Sequence, residues 1–249
     1  MAASFVPTPD DAAAESPPSA QADPMANEAY RAAVVDLLAV LAYGELSAFE
    51  RLCDDAALAP TLSDKAEIAE MAVAEFEHFR LLRQRLIDLK VDPEQAMHPF
   101  VAPLDSFHAS TAPADWLEGL VKAYVGDSIA GDFYREIAHH LDPGTRDLVL
   151  EVFEDTGHSA FVVEKVRAAI ANDPRVGGRL ALWGRRLMGE ALSQAQLVAA
   201  ERDALAGLLA GSVAEETGVP GVDLAELGRM FTRLTEEHTK RMAALGLAA

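Results

Sequence analysis

The sequence predicts an all-α protein: a four-helix bundle with one long crossover, followed by two additional C-terminal helices. Three observations carry that prediction. From Asn27 onward apolar residues recur at helical spacing, with no strand-like alternation. Proline and N-capping residues divide this stretch into helices long enough to span a domain. The gaps between the first four helices run short, long, short, which is the loop pattern of a bundle with a single crossover.

The elements follow in order. Residues 1–26 are rich in Ala, Pro, Ser and Asp without helical period, and read as a disordered tail. The first helix runs from about Glu28 to Leu58 and stops near Pro60. The second runs from about Asp64 to Lys90 and stops before Pro93. A connector holding Pro93, Pro99, Pro103 and Pro113 is expected next, then a third helix from roughly Ala114 to Leu141. Asp142-Pro143 reads as an N-cap followed by proline at the first helical position, opening the fourth helix; Asn172-Asp173-Pro174 repeats the signal for a fifth. Asp223 and Glu226 have capping-box spacing and open a sixth helix ending near Leu245. The domain reading is therefore a tail over 1–26, a bundle over 27–172 and C-terminal helices packed on it over 173–249.

Composition narrows the setting. Half of the chain is hydrophobic, enough for a substantial core, and the formal net charge of −19 repels nucleic acid and anionic membrane at long range. The one cysteine, Cys53, excludes an internal disulfide framework and suits a cytoplasmic location. The absence of any run of about 18 consecutive apolar residues predicts no membrane span, and the first residues lack the features of a signal peptide.

The chemistry is expected where acids interrupt the apolar stripes. Glu45 falls among Val34, Leu37, Leu38, Leu41, Ala48 and Leu52. Glu75 and His78 fall among Ile68, Met71, Leu82 and Leu86. Asp127 interrupts the third helix, and Asp155 and His158 interrupt Leu148, Val152, Val162 and Val166 on the fourth. A carboxylate on a core face is costly unless it is paired or coordinated. One per helix, each near mid-helix, points to a shared cause, and bound cations supply it. Glu75/His78 and Asp155/His158 are spaced i, i+3, so each pair shares a helix face and can grip one ion. Spacing alone selects poorly. With 40 acids and seven histidines, about one acid-x-x-His match arises by chance. Four occur, and Asp105/His108 in the expected connector and Glu136/His139 at a helix end are set aside. Register supports the rest: Glu45 precedes Glu75 by 30 residues and Asp127 precedes Asp155 by 28, so two antiparallel hairpins would carry their acids to similar depth.

This ligand order resembles that of the ferritin-like di-iron carboxylate proteins: acid on the first helix, Glu-x-x-His on the second, acid on the third, acid-x-x-His on the fourth. Within that group the chain looks most like the tRNA-hydroxylase-like branch, related to the enzyme that hydroxylates methylthio-isopentenyladenosine in tRNA. The likeness rests on Ala42 to Phe49, Ala74 to Arg83, Val121 to Phe133 and Glu154 to Phe161, and spans most of residues 28–170. It implies a ferritin-like bundle holding two iron ions, with manganese or zinc as alternatives. Those ions would activate O2 with help from an electron donor, to oxidise a tRNA base, a small organic molecule or iron itself. It also implies Glu45, Glu75, His78, Asp127, Asp155 and His158 as ligands and catalytic groups. Asp127 and Asp155 depart from the glutamates usual in the family, so Asp132 stands as an alternative on the third helix and Glu154 as a substitute for Asp155. Iron storage without an organic substrate and a metal-free scaffold are the competing functions.

Other residues receive plainer readings. Tyr43 and Tyr124 read as core tyrosines; His98, His108, His139 and His140 as solvated; Glu236-Glu237-His238 as an exposed face; and Cys53 as a small core residue. Six bases between Lys165 and Arg186, with Trp183 among them, form a basic cluster. It reads as an ion-pair surface for the acidic helices or for the partner of a homodimer, in preference to an RNA contact.

Overall fold

The computed structural model describes residues 23–154, 159–210, 217 and 224–248. Among these the chain is helical with no strand. The helices are α1 (Glu28–Ala56), α2 (Leu62–Asp88), α3 (Pro93–Ser110), α4 (Trp116–Ala138), α5 (Pro143–Val152), α6 (Ser159–Asn172), α7 (Pro174–Glu201), α8 (Asp203–Leu209) and α9 (Leu224–Ala244). Most of the expected tail lies outside the described residues. Its last part is ordered: Asp23 caps a single 3-10 turn over Pro24–Ala26 that packs on α1.

Local chemistry sets where the helices begin. The Asn27 side chain accepts from the Tyr30 amide at 2.9 Å, and Asp142 accepts from the Thr145 amide at 3.1 Å. Asp115 and Glu118 form a reciprocal box: Asp115 accepts from the Glu118 amide at 3.0 Å and Glu118 accepts from the Ala114 amide at 2.8 Å. Asp142-Pro143 and Asp173-Pro174 open α5 and α7 as their sequence indicates. The opening of α9 at Asp223 falls outside the described residues.

The helix α3 corrects the expected connector. Pro99 and Pro103 lie inside it, each removing an amide and costing about 3 kcal/mol in a helix interior. Tertiary burial offsets that cost. Phe100 is buried in the core under the Arg202 guanidinium, 5.4 Å from its ring centre, and α3 packs along α1. The crossover of the bundle is thus itself a helix.

The helix α1 is central, touching α2, α3, α4 and α8. By length and composition it could cross a bilayer, with a mean hydropathy of 1.7, but its apolar surface is covered by its neighbours as a core helix. Cys53 is exposed, which corrects its expected burial; its neighbour Leu52 takes the inward position. Acidic bundle helices receive the C-terminal part through ion pairs. Arg202 holds Asp36 (Nε to Oδ2 2.9 Å), Arg233 holds Glu136 at 2.7 Å and Arg241 holds Asp132 (Nη2 to Oδ1 2.7 Å). Gly184 of α7 allows Met242 of α9 to approach; a Cβ there would lie 2.5 Å from the sulfur.

The basic cluster serves the same docking. Lys165 pairs with Asp64 at 2.7 Å and Arg179 with Asp115 at 2.7 Å. Arg167, Arg185 and Arg186 donate to the carbonyls of Ala244, Ala248 and Ser110. Trp183 is buried and donates to the Glu118 carbonyl at 3.0 Å.

The apolar core is split. One cluster takes Val34 to Ala42 from α1 with Leu82 and Leu86 from α2. The other takes Leu52 and Ala56 from α1 with Ile68 and Ala72 from α2. The antiparallel register of α1 and α2 leaves a break at mid-height on both, between 42 and 52 and between 72 and 82. Glu45, Glu75 and His78 lie in that break.

Candidate metal centre

The helices α1 and α2 bring Glu45, Glu75 and His78 together, with one ligand atom of each within 4.8 Å of the others. His78 Nδ1 lies 3.3 Å from Glu45 Oε2 and 3.9 Å from Glu75 Oε2. Glu45 is 6 % exposed and the other two are half-buried. The i, i+3 spacing on α2 sets Glu75 and His78 on one face, and the helix pairing carries Glu45 to the same height.

The electrostatics are those of acids crowded out of water. Burial, reinforced by the Glu75 charge, pushes the Glu45 carboxyl well above its usual range. Burial alone would lower His78; its hydrogen bonds to Glu45 and Glu75 outweigh that and raise it to about 10. Two carboxylates and an imidazole are a donor set suited to iron, manganese or zinc. The residues present fit a metal ion.

A cavity of about 510 Å³ opens beside the cluster, within the roughly 300–1,000 Å³ of small-molecule sites. Its walls are largely apolar, with Leu37, Leu41, Phe133 and Val162 among them. Asp127 of α4 is exposed into this cavity and stands outside the three-residue group. Enclosure and the Glu75 charge push its carboxyl to about 7. Asp132 turns away to Arg135 and Arg241. Glu154 also lines the cavity. Asp155 and His158 lie outside the described residues.

Further along the cavity is a polar group that the sequence reading passed over: Ser47, Arg51 and Asp55 of α1, His108 of α3 and Lys122 of α4. His108 is not solvated as expected. Burial and the Lys122 charge hold it down at about 4, and its Nε2 lies 3.1 Å from Ser47 Oγ. Burial also lowers Lys122 to about 8 and raises Asp55 to about 6. Gly119 makes room for Asp55, whose Cγ would sit 3.1 Å from a Cβ at that position. The signal was present: Asp55 follows Ala48 by seven residues and Leu52 by three, on the stripe that holds Glu45, and Lys122 interrupts Leu120-Val121-Lys122-Ala123-Tyr124-Val125.

Elsewhere, Tyr43 is half-buried and donates to Asp105 at 2.7 Å. His98 and His139 are exposed. His238 is 5 % exposed, correcting its expected place on an outer face; Glu236 is exposed and Glu237 pairs with Lys240.

No curated protein matches the chain. A family model for the ferritin-like domain of actinomycetes matches residues 28–212, about three quarters of the sequence, including both helices that build the cluster and every described residue lining the cavity except Arg241. The chain belongs to this ferritin-like domain family.

Proposed function

We propose that the protein is a di-iron, O2-dependent hydroxylase or oxidase acting on a small organic molecule. The observation that carries this reading is the largely apolar cavity beside buried Glu45 and half-buried Glu75 and His78. A storage protein needs acids along a route for iron; it has no use for a largely apolar cavity of ligand size.

In this reading Glu45, Glu75 and His78 hold one ion, and Asp127, Asp155 and His158 complete the place of the second. A bound pair of iron ions supplies the electrons that reduce O2, with an external donor restoring them. The chain supplies the rest. His78 and Glu45 are fixed in position by packing in the break between two apolar clusters. Leu37, Leu41, Phe133 and Val162 exclude water from the space facing the carboxylates.

The likeness to the tRNA-modifying branch suggests hydroxylation as the reaction. A tRNA substrate is less favoured than a small one. The bases of the Lys165 to Arg186 cluster are engaged within the chain, and the net charge opposes a polyanion.

The test is anaerobic loading of metal-free protein with ferrous iron, followed by admission of O2. Retention of two equivalents, O2 uptake and near-ultraviolet absorption from carboxylate-bound ferric iron are expected. Failure to retain iron, zinc or manganese would favour a metal-free scaffold. Oxidation of hundreds of equivalents into a large sedimenting shell would favour iron storage.

A further inference from the structure

The polar group along the cavity is built around two unmet needs. Lys122 Nζ is buried and has no hydrogen-bond partner, and the residue is 7 % exposed. His108 Nδ1 is likewise buried without a partner. Their chemistry is complementary. Ser47 Oγ donates its one proton to the Gly44 carbonyl at 2.9 Å, so it accepts from His108 Nε2–H. That tautomer leaves Nδ1 as a bare acceptor, while Lys122 offers only donors. The two are near enough that the ammonium charge acts on the imidazole, and Phe107, next to His108, has its ring centre 5.8 Å from Nζ.

Charge at this end is already matched: Arg51 pairs outward with Asp54 at 3.5 Å and Glu50 at 3.7 Å. Asp55 acts on Lys122 as its counter-charge, without a hydrogen bond to it. A second anion here would stand unmatched in an enclosed space. The missing partner is one neutral group that accepts from an ammonium and donates to an imidazole.

We infer that Lys122 and His108 form the head-group site for a neutral, apolar substrate bearing a hydroxyl. The hydroxyl oxygen accepts from Lys122 Nζ and its proton goes to His108 Nδ1, while the apolar remainder lies along the cavity toward Glu45, Glu75 and Asp127. Lys122 precedes Asp127 by five residues on α4, a rise of roughly 7 Å. A chain anchored at its hydroxyl therefore presents carbons several bonds away to the carboxylate cluster. The inference rests on reading the cavity as a substrate chamber, and does not need the cluster to hold iron.

Calorimetric titration of the full chain with octan-1-ol and its isomer 1-methoxyheptane tests this directly. The ether has the same heavy atoms and accepts, but cannot donate. Octan-1-ol is expected to bind about tenfold more tightly than the ether, since the ether leaves His108 Nδ1 unsatisfied. His108→Phe should erase that preference, whereas Lys122→Met should weaken binding of both compounds and keep the preference, each variant checked for retained helical circular dichroism. Equal binding of the two compounds by the wild type overturns the inference, as does a preference that survives in His108→Phe or undiminished binding of both compounds by Lys122→Met. Octanoate binding more tightly than octan-1-ol would also overturn it, and would mark an anion site instead. Iron retention measured on the same samples separates the outcomes. Alcohol preference without iron uptake sinks the di-iron reading alone; iron uptake without alcohol preference sinks the head-group site alone.

Discussion

His78→Ala is expected to lower ferrous-iron affinity by at least about a hundredfold while leaving the helical content unchanged. Loss of a group that merely orients a ligand costs about 10–100-fold in metal affinity, and His78 is proposed as a ligand itself. The fold should tolerate the change. The imidazole is half-buried in the polar break between the two apolar clusters, so its removal opens no void within either. The structure also predicts asymmetry between this variant and an exposed-histidine control. His98→Ala removes an exposed side chain far along α3 and should retain iron as the wild type does. Equilibrium dialysis against ferrous iron under nitrogen, with circular dichroism on the same material, measures both. Undiminished iron binding by folded His78→Ala would mean the ion sits elsewhere.

Lys122→Met is expected to remove a pH dependence of stability that the wild type shows between about pH 8 and 10.5. Burial lowers the Lys122 ammonium from 10.5 to about 8. In that window the unfolded chain binds the proton and the folded chain releases it, so Lys122 makes stability rise with pH, against the fall contributed by His78, which is raised from 6.5 to about 10. The stability withheld by the buried charge is absent above 10.5 and fully felt below about 8, and a shift of that size is on the order of 3 kcal/mol. Asp55 behaves in the opposite sense. Its carboxyl, raised from 3.8 to about 6 by burial, favours the fold below 3.8, and that contribution is lost as pH rises through 6. Urea unfolding of wild type and Lys122→Met from pH 5 to 10.5 separates the two groups. The variant should lose the rising contribution of Lys122 at alkaline pH, and its acidic slope should extend to higher pH because Asp55 loses the Lys122 charge that lowers it. An alkaline slope identical in both proteins would mean that Lys122 is not buried with its charge.

The bundle was legible because its signals are local and agree with one another. Asp142-Pro143 and Asp173-Pro174 open helices through hydrogen bonds that need nothing beyond a few neighbouring residues. The helix α3 was not legible. Pro99 and Pro103 are read locally as breakers, and only the long-range seating of Phe100 against α1 and Arg202 overrides them. The consequence reaches the site, because a connector in place of α3 would leave His108 in solvent. Glu45, Glu75 and His78 were legible since charged groups on an apolar stripe have few tolerable explanations. Asp55 and Lys122 meet the same criterion but lack acid-x-x-His spacing, so no motif marks them. Cys53 and His238 show the limit of helical periodicity, which fixes a stripe but not which edge residues it includes.

The most direct test of the account is where iron binds. Crystals of the full chain soaked in ferrous iron under nitrogen, with diffraction collected at the iron edge, give the position without reference to activity. The account predicts an anomalous peak bounded by the Glu45 and Glu75 carboxylates and His78 Nδ1, at the mid-height break between the two apolar clusters. Iron held only by carboxylates on the outer surface, with that interior position vacant after soaking, would contradict it.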